Sequence, residues 1–169
     1  NQSALDRIKG DLTRVLPHIK SSHRCEAIGR SLGFGTYATA LAASAMDRAA
    51  TVTVRGDPFS VYLETHGFDA SPTPFYRAAA KAVLSDIAAR NPKLTMWGIG
   101  VGRPQRKPDG KFENAREEYA RFQEARQELA NDGAAEAFLL SLALLARITP
   151  TKTVRRGTGS YWVKHIAEN

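Results

Sequence analysis

The sequence predicts a mainly α protein: a compact multi-helix domain carrying a small β element of two or three strands. Three observations predict it. Apolar residues recur at helical spacing through most of the chain. Only two short stretches, TVTVR at 51–55 and LTMWGIGV at 94–101, have strand character, and nothing alternates as βαβ units do. Pro and Gly stand where helices start and stop, at Pro17, Gly33, Asp57-Pro58, Gly67 and Asn91-Pro92.

In order, residues 3–16 form an amphipathic helix with Leu5, Ile8, Leu12 and Val15 or Leu16 on one face, ended by Pro17. Residues 23–32 form a second helix behind Ser22, with Gly33 just past its end. Thr36 caps a third, Ala-rich helix running to about residue 50. TVTVR is β-branched and alternating, and predicts a strand. Asp57-Pro58 opens a helix ending at Gly67. Residues 75–90 are a helix with Tyr76, Ala79, Ala80, Val83, Leu84 and Ile87 on one face, stopped by Asn91-Pro92. Residues 94–101 predict the second strand, with Trp97, Ile99 and Val101 on one side and Gly98, Gly100 and Gly102 on the other. Pro108-Asp109-Gly110 is a turn. Asn114 opens a charged helix over 115–130 with Tyr119, Phe122 and Leu129 as its apolar stripe. Residues 134–147 are apolar nearly all round, which predicts a helix at the centre of the core. Residues 149–160 read as a loop and 161–168 as a further helix or short strand.

At 169 residues the chain is long enough to bury a core without disulfides or metal, and one domain is expected over 1–169: a helical N-terminal module over 1–50 and a helical core with basic loops over 51–169. The single Cys25 cannot pair internally, which suits a reducing, cytoplasmic setting. Hydropathy gives no membrane span and the first residues carry no secretory leader.

The net charge is +7, and it is concentrated. Arg103, Arg106, Lys107 and Lys111 have only Asp109 among them, and Arg147, Lys152, Arg155, Arg156 and Lys164 meet no acid before Glu168. Two basic loops suit a phosphate-rich partner. The second also holds Tyr161 and Trp162, and cations beside aromatics are what backbone contact with base stacking requires. The plain alternative is a solvated surface whose aromatics dock into the core.

Known chemistry is sparse. The Gly98-Gly100-Gly102 alternation fails the dinucleotide and phosphate-loop patterns, since Arg103 stands where GxGxxG needs glycine and no GxxxxGK follows. No HExxH or paired CxxC supplies a metal site, so neither metal nor cofactor is expected. His23 and Cys25 lie two apart on a helix and face different ways. The acids Asp57, Glu64, Asp86, Asp109 and Glu113 form no nuclease cluster. A phosphate-ester site around residues 100–111 with His165 has no motif behind it, and no catalytic residue is assigned.

Ala27 to Thr36 spells a helix, a Leu32-Gly33-Phe34 turn and a capped second helix, the pattern of a helix-turn-helix. Its second helix would be a poor reader of bases, because Tyr37, Thr39, Ala40, Ala43 and Ser44 offer few groups for base edges and no Arg, Lys, Asn or Gln precedes Arg48. Ser21-Ser22-His23, Glu26-Ala27, Leu32-Gly33-Phe34 and Thr36-Tyr37, with LTMWGIGVGRPQRKPDGKFEN and TPTKTVRRGTGSYWVKHIAEN, resemble an uncharacterised family carried by proteobacterial plasmids and integrated mobile elements. The resemblance covers nearly the whole chain. It implies a role around mobile DNA and a C-terminal segment that continues further, but no activity and no catalytic residue.

Two functional expectations follow. In the first, a non-enzymatic protein binds DNA or RNA backbone through Arg103, Arg106, Lys107, Lys111, Lys152, Arg155 and Arg156, with Tyr161 and Trp162 stacking. In the second, the chain is a helical protein-interaction or oligomerisation module, with the apolar helix over 134–147 or the Ala-rich helix over 36–50 at an interface.

Overall fold

The structure, a computed structural model, describes residues 1–46, 51–100 and 102–149. Within them lie α1 (Gln2–Val15), α2 (Ser21–Ser31), α3 (Tyr37–Ala45), α4 (Asp57–Glu64), α5 (Thr73–Arg90), the strands β1 (Leu94–Thr95) and β2 (Gly98–Ile99), α6 (Ala115–Gln127), a 3-10 turn (Glu128–Ala130) and α7 (Asp132–Leu145). The protein is mainly helical with one two-stranded antiparallel sheet, as the sequence predicts.

The main core belongs to the first five helices. Leu5, Ile8 and Leu12 of α1 meet Ala27 and Ile28 of α2, Phe59 and Leu63 of α4, and Phe75, Ala78, Ala79 and Ala82 of α5. The alanines of α5 matter here: five of its buried side chains are alanine or leucine packed along the α1 side and beyond, so neighbouring helices approach its backbone closely. Phe59 and Phe75 are fully buried and stacked, with centroids 5.2 Å apart.

Two cation-to-carbonyl clamps hold helix ends, one by the buried Arg24 and one by the part-buried Arg126. The last carbonyls of a helix have no partner within it. At the end of α1, Arg24 donates to the carbonyls of Leu16 (2.8 Å) and Ile19, and to Thr13 Oγ1 (3.2 Å). At the end of α5, Arg126 reaches across from α6 to the carbonyls of Ala88 (2.7 Å), Asn91 (3.1 Å), Pro92 (2.7 Å) and Leu94 (3.1 Å). The second clamp fixes α6 to the rest of the molecule.

The α2–α3 turn closes as a helix C-terminal motif: Gly33 has φ 85°, its N–H meets Arg30 O, and Phe34 N–H returns to Gly29 O at 2.9 Å. Thr36 and Thr39 cap α3 reciprocally. The close approach between the helices is at Gly29, where a Cβ would lie 2.6 Å from Tyr37 N and 2.7 Å from Thr36 C.

Three expectations need correction. Residues 51–55 are not a strand. Among the described residues they have no partner strand, and Arg55 N–H instead bonds Ser31 O (2.9 Å), while Val54 packs against the core. Residues 94–100 are not one strand but a hairpin, in which Leu94 faces Ile99 and Thr95 faces Gly98, while Val101 lies outside the described residues. Gly98, Gly100 and Gly102 have φ of 116°, 76° and 72°, so they serve the turn and exit rather than one face of a strand. Helix α7 does not lie at the centre of the core. Only Ala134 and Ala135 of it are buried, and Leu140 is 69% exposed. All-round apolarity predicts burial, but among the described elements α7 packs mainly along α5 and the 3-10 turn.

Candidate functional site

The sequence-predicted basic loop is built on α6. Thr95, buried at the hairpin, accepts from Trp97 N–H (3.2 Å), and its hydroxyl lies 3.0 Å from Gly98 O and 3.1 Å from Gly100 O. Met96 N–H bonds Ala125 O (2.9 Å), seating the hairpin on α6. Trp97 and Ile99 remain 71% and 72% exposed.

Beyond it, residues 105–113 double back around Pro108-Asp109-Gly110. Glu113 N–H bonds Gln105 O (2.9 Å), Lys107 N–H bonds Lys111 O (2.7 Å), and Arg106 and Phe112 form an antiparallel bridge. The positive φ of Gly110 (83°) lets the turn close. Asn114 caps α6 by accepting from Arg116 and Glu117 N–H, both at 3.0 Å.

The structure divides the predicted phosphate-binding residues. Lys107 is engaged with Glu117 (3.0 and 3.3 Å). Arg106 donates through Nε to Gly110 O (3.1 Å) and is otherwise at the surface. Arg103 and Lys111 are exposed, and neither forms an ion pair among the described residues. Lys152, Arg155, Arg156, Tyr161 and Trp162, with His165, lie outside the described residues. The sequence also passed over Arg121, whose guanidinium holds Glu113 at 2.7–3.1 Å and ties the loop to α6. The spacing of Glu113 and Arg121, eight residues apart across a helix start, carries little signal.

These pairs set the loop's response to acid. The hydrogen bond from Arg121, and then that from Gln105 N–H, holds the Glu113 carboxyl below the usual range. The Asn114 N–H, and then Lys107, does the same for Glu117. A carboxyl whose folded value is depressed contributes stability above its unfolded value, near about 4, and loses it as pH falls through the lowered folded value. Glu113 is part-buried against Arg121 and Glu117 is about half exposed, and both pairs lie within one loop, so the effect is local. Protection of the Lys107 and Glu113 amides, measured against their intrinsic exchange rates, is expected to hold down to about pH 4 and to fall below it. Protection already lost near neutrality, or unchanged in strong acid, would show that these pairs do not anchor the loop.

The α2–α3 unit has the turn of a helix-turn-helix but not a reading face. Tyr37 and Ala40 of α3 are buried, and the exposed positions Ala38, Thr39, Ala42 and Ala45 present one hydroxyl, already bonded to Thr36 O (2.7 Å). Beside the turn, Arg30 stands over the Tyr62 ring (4.9 Å), and His66, His23 and Phe68 continue the stack at centroid distances of 4.2, 4.8 and 5.2 Å. This stack joins α2 to α4. Cys25 is half-buried and free.

The second candidate surface is α7. Its first half is held to α5 by Lys81 with Asp132 and Arg77 with Glu136. Lys81 also holds the Asp132 carboxyl below its usual range. Among the described residues the second half has no ion pair. Leu140, Leu142, Leu145 and Ile148 are 69%, 46%, 52% and 49% exposed, and no charged residue interrupts positions 137–146.

Among the described residues no helix is long and apolar enough to cross a membrane, and no three His, Cys, Asp or Glu side chains are grouped to hold a metal ion. The chain matches no protein-family model, no curated protein and no solved structure.

Proposed function

We propose that this protein is a helical protein-interaction module whose contact surface is the second half of α7. The observation that carries this reading is the exposure of Leu140, Leu142, Leu145 and Ile148, where Arg147 is the one charged residue from 137 to 148. Single exposed leucines are ordinary on protein surfaces, but four large apolar side chains exposed within positions 140–148 leave much of the helix end apolar toward water, and exposed apolar surface of this kind marks an interface. The exposed leucines also make the test clean, because replacing them removes little packing. The double variant Leu140→Glu/Leu145→Glu is expected to keep the wild-type circular dichroism and thermal midpoint within about 0.5 kcal/mol. It should lose the species that in-cell chemical cross-linking traps with the wild-type chain. Identical cross-linked species from both proteins would remove the reading.

A second reading is nucleic-acid association around mobile DNA. It rests on the +7 charge and on Arg103, Arg106 and Lys111, which stand at the surface of one loop without carboxylate partners among the described residues. Lys107 is bound to Glu117 and contributes less than its position in the sequence suggests. In this reading affinity falls steeply with salt. Alanine at Arg103, Arg106 and Lys111 together lowers the slope of log affinity against log salt by about 2–3. A mobility-shift titration with DNA and RNA reads this out, and absence of binding at low salt rules it out.

A further inference from the structure

The partner of α7 can be specified further, resting on the interaction reading above. Glu136, Leu140, Ala143 and Arg147 follow one another at spacings of four, three and four, so they line one side of α7 and of the turn that continues it, where Arg147 N–H bonds Leu144 O (3.0 Å). All four are exposed. The stripe has an acid at its N-terminal end, a base at its C-terminal end, and a large and a small apolar residue between. It is therefore complementary to itself when reversed.

We infer that α7 pairs antiparallel with α7 of a second copy of this chain, across a two-fold axis, in the register that sets Leu140 against Ala143 and Glu136 against Arg147. A closed dimer uses the same patch on both partners, and each contact then occurs twice. The same register sets Leu139 against Leu144. Ala143 leaves room over its backbone for the facing Leu140, which is how helices with small residues at the seam come close. Charge decides the direction. A parallel pairing would set Glu136 against Glu136 and Arg147 against Arg147, whereas the antiparallel one satisfies both ends. Arg77 already engages Glu136 through Oε1, which fixes that carboxylate at the edge of the stripe. Arg147 has no ion pair among the described residues. The net charge of +7 on each copy opposes association at long range, so moderate salt favours the dimer until the end pairs are screened.

The register gives a test that general stickiness cannot mimic. On the full chain carrying Cys25→Ser, single variants Leu140→Cys and Ala143→Cys are prepared and oxidised, each alone and as an equimolar mixture. The mixture is expected to form the disulfide-linked dimer several-fold more than either variant alone, because 140 faces 143 and neither faces itself. Leu140→Glu should weaken the dimer by about 100-fold or more and Arg147→Glu by about tenfold. Equal cross-linking in all three samples, or a strictly monomeric chain at every concentration, overturns the antiparallel dimer. The interaction reading itself survives that result if the cross-linked species of the wild-type chain, formed with a different polypeptide, still disappear in Leu140→Glu/Leu145→Glu.

Discussion

Replacing Phe59 by alanine is expected to lower the unfolding free energy by about 3–5 kcal/mol, the range for deleting a fully buried aromatic ring. Phe59 has no exposed surface and stacks on Phe75 with the ring planes 13° apart. It is the point where α4 enters the core shared by α1, α2 and α5. The alanine variant loses the ring's transfer free energy and leaves a cavity that α4, only eight residues long, can close in part. Phe59→Leu retains most of the volume and should cost about 1 kcal/mol. Urea unfolding followed by far-ultraviolet dichroism measures both. A loss below about 1 kcal/mol in the alanine variant would mean that α4 is not part of the cooperative core.

Arg24→Met is expected to be the second large effect, about 2–4 kcal/mol, even though it replaces a buried charge by an apolar side chain of similar length. Exchanging a buried ion pair for apolar residues is often harmless because both partners go. Here the partners are the main-chain carbonyls of Leu16 and Ile19, which stay behind without the donor. Leu16 and Ile19 are themselves buried, so water cannot readily replace it. Arg24→Lys keeps a charge but not the fork that reaches two carbonyls at once, and should recover part of the loss. The same unfolding experiment separates the three proteins. Equal stability of the methionine and wild-type forms would show that those carbonyls are hydrated.

Much of the helical frame is legible from residue pattern. Pro17, Gly33, Asp57-Pro58, Gly67 and Asn91-Pro92 punctuate it where expected, because each acts through its own backbone geometry or its missing donor. What pattern does not carry is partnership. TVTVR has strand composition, but a strand needs a neighbour to bond, and residues 51–55 have none among the described residues. The alternation at 94–102 is real, yet glycine alternates there because positive φ is required at three positions of a turn and its exit. Arg24 and Arg126 look like surface cations in sequence. Their role as carbonyl clamps depends on which helix ends the fold brings to them.

The candidate sites follow the same division. The cations at 103–111 are visible as charge, but only the geometry separates Lys107, spent on Glu117, from Arg103 and Lys111 at the surface. In α7 the apolar composition is read correctly and its consequence is not: periodicity shows that a helix must be covered, not by what. The exposed Leu140 instead directs attention to a partner outside the described residues, and the reversed self-complementarity of Glu136, Leu140, Ala143 and Arg147 names one.

Sedimentation equilibrium of the full chain, beside Leu140→Glu and over a wide concentration range, tests that assignment most directly. The wild-type chain is expected to move from the mass of one chain to that of two as concentration rises, while Leu140→Glu stays at one with unchanged stability. A wild-type chain that remains monomeric throughout, or a variant that dimerises as the wild type does, would contradict the pairing of α7 with its copy.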